Sequence, residues 1–303
     1  MDQQIKVIDL NTARDLWDAL SPENPMWTSR PGNFIYRGQS DAKWGLVPSV
    51  LREASVVRRL MIPKSTLNTN TQIYAEMRLL AMFVEHCDSI GLRIPGDSIK
   101  LRRSLNTNVR EGDVFMKYPS KWPSERVIEL MALAQHHKLQ TRLLDWSKRS
   151  YVAAYFAAAD AVRKDQGWNE GGDLAIWALD ISCISEMAPD DATPSQGGLR
   201  PPVSLVRAPG STSANLSAQA GVFTLLKERG VSNGLVESRA LEDEFQYDPN
   251  TPLIKFTLRA VHAPDVLIHS NRHGINAATL FPGYDGASAA VLETIKTWPA
   301  MVQ

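Results

Sequence analysis

Two short segments carry side chains that together could bind and transform an anionic ligand: Tyr36-Arg37-Gly38-Gln39, and Gln135 through Trp146. Arg37 follows a β-prone run and precedes a glycine, the residue that lets a backbone turn sharply or a ligand come close. A guanidinium so placed suits a phosphate or carboxylate, and Gln39-Ser40 add hydrogen-bonding groups at the same corner. The plain alternative is a strand-end arginine paired with a carboxylate. In the second segment His136, His137, Thr141, Arg142 and Asp145 bring acid/base, hydroxyl and anion-binding groups into one short stretch. Adjacent histidines point apart in either regular conformation, and neither His136 nor His137 belongs to an HxxxH pair, so a metal site is not expected there. Asp145 also admits a structural reading, buried against Arg142 or the amides at the helix start near Tyr151, and Trp146 reads as core. Gln219 precedes Val222-Phe223-Thr224-Leu225, where it is either a cleft-edge group or an ordinary surface glutamine. The acidic group Glu237, Glu242, Asp243 and Glu244 reads as a solvated loop face, with one carboxylate able to face a developing cation. No Ser/His/Asp nucleophile motif, P-loop or Rossmann fingerprint is present.

The elements that must position these groups follow from periodicity and punctuation. Lys6 to Leu10 reads as a strand and Thr12 to Leu20 as a helix capped by Asn11 or Thr12. Ser21 to Gly32 has loop composition, and Phe34-Ile35-Tyr36 is a strand ending at Arg37-Gly38. Helical spacing runs through Val47 to Leu60, and again through Thr71 to Asp88. Gly91 to Trp122 reads as irregular, with a short helix around Ile99 to Leu105. Ser124 is expected to cap a helix from Glu125 to Gln135, and an Ala-rich helix spans Tyr151 to Arg163. In the second half, 173–179, 222–226, 253–258 and 266–268 read as strands, Pro189 to Gly210 and Gly230 to Gly234 as loops, and Ala287 to Thr297 as a helix. The fold class expected is α+β, or mixed α/β, in a single domain over 1–303, with helices leading and a sheet in the second half.

Composition narrows the field. Lys plus Arg and Asp plus Glu are 33 each in 303 residues, so there is no global basic field of the kind nucleic-acid binders often carry. Arg142, Lys148 and Arg149 remain the local candidates for phosphate contacts, or are solvated helix-start residues. Cys87 and Cys183 lack CxxC spacing, which fits a reducing cytoplasm. The first residues do not read as an export signal, and no run of about 18 apolar residues occurs, so no membrane association is expected.

These residues resemble the FRG domain family, named for a Phe/Tyr-Arg-Gly motif. That motif is here Tyr36-Arg37-Gly38-Gln39, trailed by Trp44, Leu46, Pro48-Ser49 and Arg52. The family's second block, Gln-His-Tyr-Gly followed by Thr-Arg-Leu-Leu-Asp-Trp, is matched by Gln135 through Trp146 and runs into Ala153-Ala154-Tyr155-Phe156-Ala157. His137 stands where a tyrosine is usual, and Lys138 where a glycine is. Further similar pieces at 219–223 and 280–286 extend the likeness over about 30–292. The block order is in turn similar to ADP-ribosyltransferases. In those a first strand ends in Arg or His to hold NAD, a second with Ser/Thr precedes an Ala-x-x-Phe-Ala helix, and a third begins with Glu or Gln.

What the resemblance implies is an ADP-ribosyltransferase-like domain that transfers ADP-ribose from NAD, as co-substrate, to an intracellular RNA, DNA or protein acceptor. Cleavage of the nicotinamide–ribose bond passes through an oxocarbenium-like cation, so the site needs an anion clamp, ribose hydrogen bonds and a nearby acceptor or carboxylate. Tyr36, Arg37, Gly38, Gln39 and His137 would form the NAD-binding group, with Arg37 on the pyrophosphate or adenosine side and Gly38 giving the ligand room. His136, Thr141, Asp145 and Gln219 would be catalytic. The setting implied is a bacterial toxin-antitoxin or anti-phage system, with an antitoxin or chaperone as partner. Two other readings of the same pattern are a nucleotide or nucleic-acid binding module without chemistry, and a scaffold subunit of a defence complex.

Overall fold

The computed structural model describes residues 5–28, 33–106, 108, 110–164, 171–187, 203–207, 218–236, 239–245 and 252–301. Its strands are β1 (Lys6–Leu10), β2 (Phe34–Gln39), β3 (Leu143–Ser147), β4 (Asp173–Asp180), β5 (Ser185–Glu186), β6 (Val203–Val206), β7 (Gly221–Leu226) and β8 (Leu253–Arg259). They form one mixed sheet in the order β1-β8-β4-β2-β3-β7-β6-β5. The helices are α1 (Ala13–Leu20), α2 (Pro25–Thr28), α3 (Val56–Met61), α4 (Thr69–Ser89), α5 (Ile99–Ser104), α6 (Arg110–Lys117), α7 (Glu125–His136), α8 (Ser150–Arg163), α9 (Ala263–Arg272), α10 (Ala277–Leu280) and α11 (Tyr284–Met301). The architecture is mixed α+β, as expected. The sheet nevertheless draws β1, β2 and β3 from the first half of the chain.

The sheet is interrupted at one junction. β2 pairs with β4 along its whole length, from Phe34 opposite Asp180 to Gln39 opposite Ala175, and β3 pairs fully with β7. Between β2 and β3 the ladder holds only at Tyr36 opposite Ser147. Beyond that pair the strands part, and the sheet opens into a wedge at Arg37.

Helices pack where the strand faces are apolar. α8 lies against β2 and β4, and its run of small residues, including Ala153, Ala154, Ala157 and Ala158, lets it approach closely. Gly38 is the tightest point of that contact: a Cβ there would lie 2.0 Å from the Ala153 carbonyl oxygen and 2.8 Å from the Ala157 nitrogen. Gly38 thus also seats a helix, a role beyond the ligand access expected of it. Gly38→Ala must push β2 and α8 apart, and is expected to lower stability by about 1–3 kcal/mol, measured as a lower urea midpoint. α4 to α7 cover β3 and β7 through Leu143, Phe223 and Leu225. The opposite sheet face, with Ile35, Trp146 and Trp177, is closed by Leu46, Leu241 and Phe245.

Several expectations change in the structure. β2 continues past Arg37 to Gln39, so Arg37 lies near the strand end, two residues before it. The 47–60 stretch breaks into a short 3-10 turn at Ser49–Leu51 and α3, because Pro48 and the extended Arg52 interrupt the helical spacing. α2 falls in the expected loop at 21–32, and α6 in the stretch read as irregular. Ser124 sits at the N-cap of α7 without a capping bond, its hydroxyl buried and unpartnered. The 266–268 strand is instead the middle of α9; a short apolar run fits either element when no turn residue bounds it. Within 189–210, β6 replaces loop, and most of the rest lies outside the described residues.

Candidate functional site

Arg37 fills the wedge between the two parts of the sheet. Its Nη1 donates to the Asp145 backbone carbonyl at 2.6 Å, taking an acceptor that a continuing β2–β3 ladder would have used. The same nitrogen is 3.7 Å from the Asp145 carboxylate. The two side chains are unequal in exposure, 16% for Arg37 and 61% for Asp145. Arg37 Nε is buried with no hydrogen-bond partner. Burial presses the guanidinium toward neutrality, Asp145 opposes that, and Arg52 adds to it. An additional anion in the wedge would satisfy the orphan donor and relieve the desolvated charge together.

Asp145 is oriented by Gln135, whose Nε2 donates to Oδ1 at 2.5 Å. The other end of the Gln135 amide accepts from the Thr141 hydroxyl, which itself receives the Leu143 amide at 3.1 Å. Thr141 is buried and lies outside the cavity wall. Its expected place among the catalytic groups is therefore corrected: Thr141 holds Gln135, and Gln135 faces the ligand space. His136 also lines that space, and its imidazole is kept neutral more readily than usual by burial and by His137, against the pull of Asp145. His137 does not line the cavity; it stands edge-on to His136 at 5.1 Å, at the C-cap of α7.

These groups open onto a cavity of about 990 Å³, large for a ligand cleft, where about 300–1,000 Å³ is usual. Tyr36, Gly38 and Gln39 line it with Arg37, but Gln39 is committed to the Trp177 indole N–H at 2.7 Å and to the Gly45 carbonyl. Tyr36 packs edge-on against Trp27, and burial pushes its phenol well above the usual range. Gln219 reaches the same cavity from the turn before β7, its Nε2 bonded to the Leu280 carbonyl at 3.2 Å. Ser147, not singled out from sequence, ends β3 on the cavity wall and donates to the Gln219 carbonyl at 2.8 Å. The far end holds Asp160, bound by Ser40 and Lys164, and Glu293, which accepts from the Tyr155 hydroxyl at 2.7 Å. Burial raises the Glu293 carboxyl.

Lys138 shows how the turn after α7 is kept. It holds a left-handed φ of 69°, while its amide and that of Leu139 close back on the Gln135 and Ala134 carbonyls. That is the conformation a glycine takes without cost at a helix end. Lys138→Gly is expected to raise stability by about 1 kcal/mol, seen as a higher urea midpoint at unchanged m-value.

Arg142 proves to be neither a surface contact for phosphates nor a partner of Asp145. It is buried, with Nε on both Glu76 oxygens at 3.0 and 2.7 Å and Nη1 on Glu228 at 3.0 Å. Burial would discharge it, but the two carboxylates outweigh that and hold it charged. The acidic group also differs from the solvated face expected. Glu244 is buried against Arg229 and Arg239, and Glu242 accepts the Leu46 amide at 2.8 Å, while Glu237 lies outside the described residues. Among the described residues, no three His, Cys, Asp or Glu side chains group as metal ligands, and no helix is long and apolar enough to cross a membrane.

Fold and site together define a mixed α+β protein with a polar cleft where its central sheet divides. Residues 32–166, from the approach to β2 through α8, match the FRG domain family. That span carries Arg37, Gln135, His136 and Asp145; Gln219 and the 281–285 turn lie beyond it. No curated protein and no solved structure matches the chain.

Proposed function

We propose that the chain is an NAD-dependent ADP-ribosyltransferase acting on an intracellular nucleic-acid or protein acceptor, as the toxin of a defence or toxin-antitoxin module. The observation that carries the reading is convergence. Arg37 on β2, the Asp145–Gln135 pair at β3 and Gln219 before β7 are distant in sequence, sit on neighbouring strands and face one cavity. Ser147, at the end of β3 and ahead of α8, answers the Ser/Thr of the second strand better than Thr141 does. In this reading Arg37 takes the pyrophosphate, and Ser147 with Gln219 faces the nicotinamide ribose. The C1′–nitrogen bond breaks with its electron pair leaving on nicotinamide, and an acceptor oxygen or nitrogen bonds C1′. The acceptor's proton passes to Asp145 or to neutral His136.

The binding-module reading keeps one observation in its favour: Gln219 brings no negative charge to a developing cation. The scaffold reading is weakened by the exposure of Asp145 and the orphan donor on Arg37, since the polar groups are not closed on one another. Incubating the protein with label on the adenylate half of NAD and whole-cell extract, then separating protein, RNA and DNA, distinguishes them. Transferred label is expected in one macromolecular fraction. Label that stays on intact, bound NAD identifies a binder, and absence of any NAD binding refutes the proposal.

A further inference from the structure

The C-terminal helix α11 is amphipathic in the wrong sense for a monomer. Its inward face carries Gly286, Ala289, Ala290, Glu293 and Thr297, while Tyr284, Val291, Leu292, Ile295 and Trp298 face outward, each between 58% and 96% exposed. The inward face is specialised: a Cβ on Gly286 would lie 1.9 Å from the Phe281 carbonyl, and Glu293 is bound by Tyr155. From 286 to 298 the ionisable residues are Glu293, which is buried, and Lys296, whose ammonium turns back to the Val162 and Arg163 carbonyls. From 286 to 298 the outward face is therefore apolar and carries no charge, with Asp285 exposed in the first turn beside Tyr284, and that stretch has the composition of an interface centre rather than of a solvated helix.

We propose that α11 is a homodimer interface, packing antiparallel against α11 of a second copy of this chain. The occupant follows from the spacing. Tyr284, Ser288, Val291, Ile295 and Trp298 recur at alternating steps of four and three, the 3.5-residue repeat of a seam between two helices. A twofold axis midway between Val291 and Ile295 sets those two side chains against each other and sets small Ser288 opposite bulky Trp298, so the face is self-complementary. A lipid surface is the poorer match, because membrane-lying helices flank their apolar face with basic residues, and none lies on this one. Two aromatics of roughly 150–250 Å² each, with three aliphatic side chains, supply a substantial share of the roughly 800 Å² per partner of a standard interface. Phe281 to Tyr284, on the cavity wall, lead directly into this helix, so the two cavities of the dimer would open on either side of the seam.

Light scattering on the purified full chain tests this. The wild type is expected at about twice 33.6 kDa, and Ile295→Glu at half that mass with an unchanged circular dichroism spectrum, since Ile295 is exposed and its loss leaves the core intact. The register has its own check: Ser288→Trp, which sets two indoles against each other, lowers the dimer fraction, whereas Ser288→Ala does not. A wild type that is monomeric at its highest soluble concentration, a dimer that survives Ile295→Glu, or a monomer that sediments with neutral phospholipid vesicles would each overturn the proposal.

Discussion

Arg37→Ala is expected to cut NAD-dependent label transfer by about 100-fold or more while leaving the protein folded. The guanidinium has one nitrogen on the Asp145 carbonyl and another, Nε, buried without a partner. A charge-assisted bond is worth about 1.5–3 kcal/mol, and about 1.4 kcal/mol is a factor of ten, so loss of two bonds to a phosphate gives that range. The folded state loses less, because the wedge opens onto the cavity and water can reach the freed carbonyl. Arg37→Lys is expected to restore charge but little activity, since an ammonium cannot serve Asp145 and a ligand along the two edges of a planar fork. Transfer rates at saturating and limiting NAD separate a binding loss from a chemical one. Full activity in Arg37→Ala would remove this residue from the site.

The second large effect concerns stability. Arg142→Met removes the guanidinium that Glu76 and Glu228 both bind and leaves them buried with Arg58 as the remaining cation beside them, and should cost about 3–5 kcal/mol. Glu76 also accepts from Gln72 at 2.7 Å and from the Trp122 indole at 2.8 Å, so neither it nor its neighbours can turn away. Urea midpoints of wild type and variant are the measurement, and a variant as stable as the wild type contradicts the account. Because Arg142 lies between Thr141 and the β3 strand, its ion cluster also anchors the segment that delivers Asp145 to Arg37.

Both motif segments were legible in the sequence, and the structure brings them together as expected, yet the roles within them shift by a residue or two. Gln135 escaped because an amide at a helix end has no distinguishing pattern; only the fold shows it bridging Thr141 and Asp145. The sequence around Gly38 suggests ligand access, whereas its tightest constraint comes from α8, at Ala153, 115 residues downstream. Arg142 lies just before β3 and Asp145 within it, and the chain sends one into a buried ion cluster and the other into the cleft. Helices with strong caps or long apolar stripes, such as α1, α4 and α7, were readable to within a residue or two. α9 was not, because an apolar run as short as 266–268 fits either period. The break in the β2–β3 ladder, which creates the cleft, has no local sequence signal: it depends on pairing between strands more than 100 residues apart.

The central claim is that Arg37, the Asp145–Gln135 pair and Gln219 grip one dinucleotide across the split in the sheet. Crystals of the protein grown with NAD, or with a non-hydrolysable analogue, test it most directly. The account predicts difference density with the pyrophosphate against Arg37 and the nicotinamide ribose between Asp145 and Gln219. Density for the dinucleotide elsewhere on the molecule, or a cleft holding only solvent at saturating NAD, would contradict it.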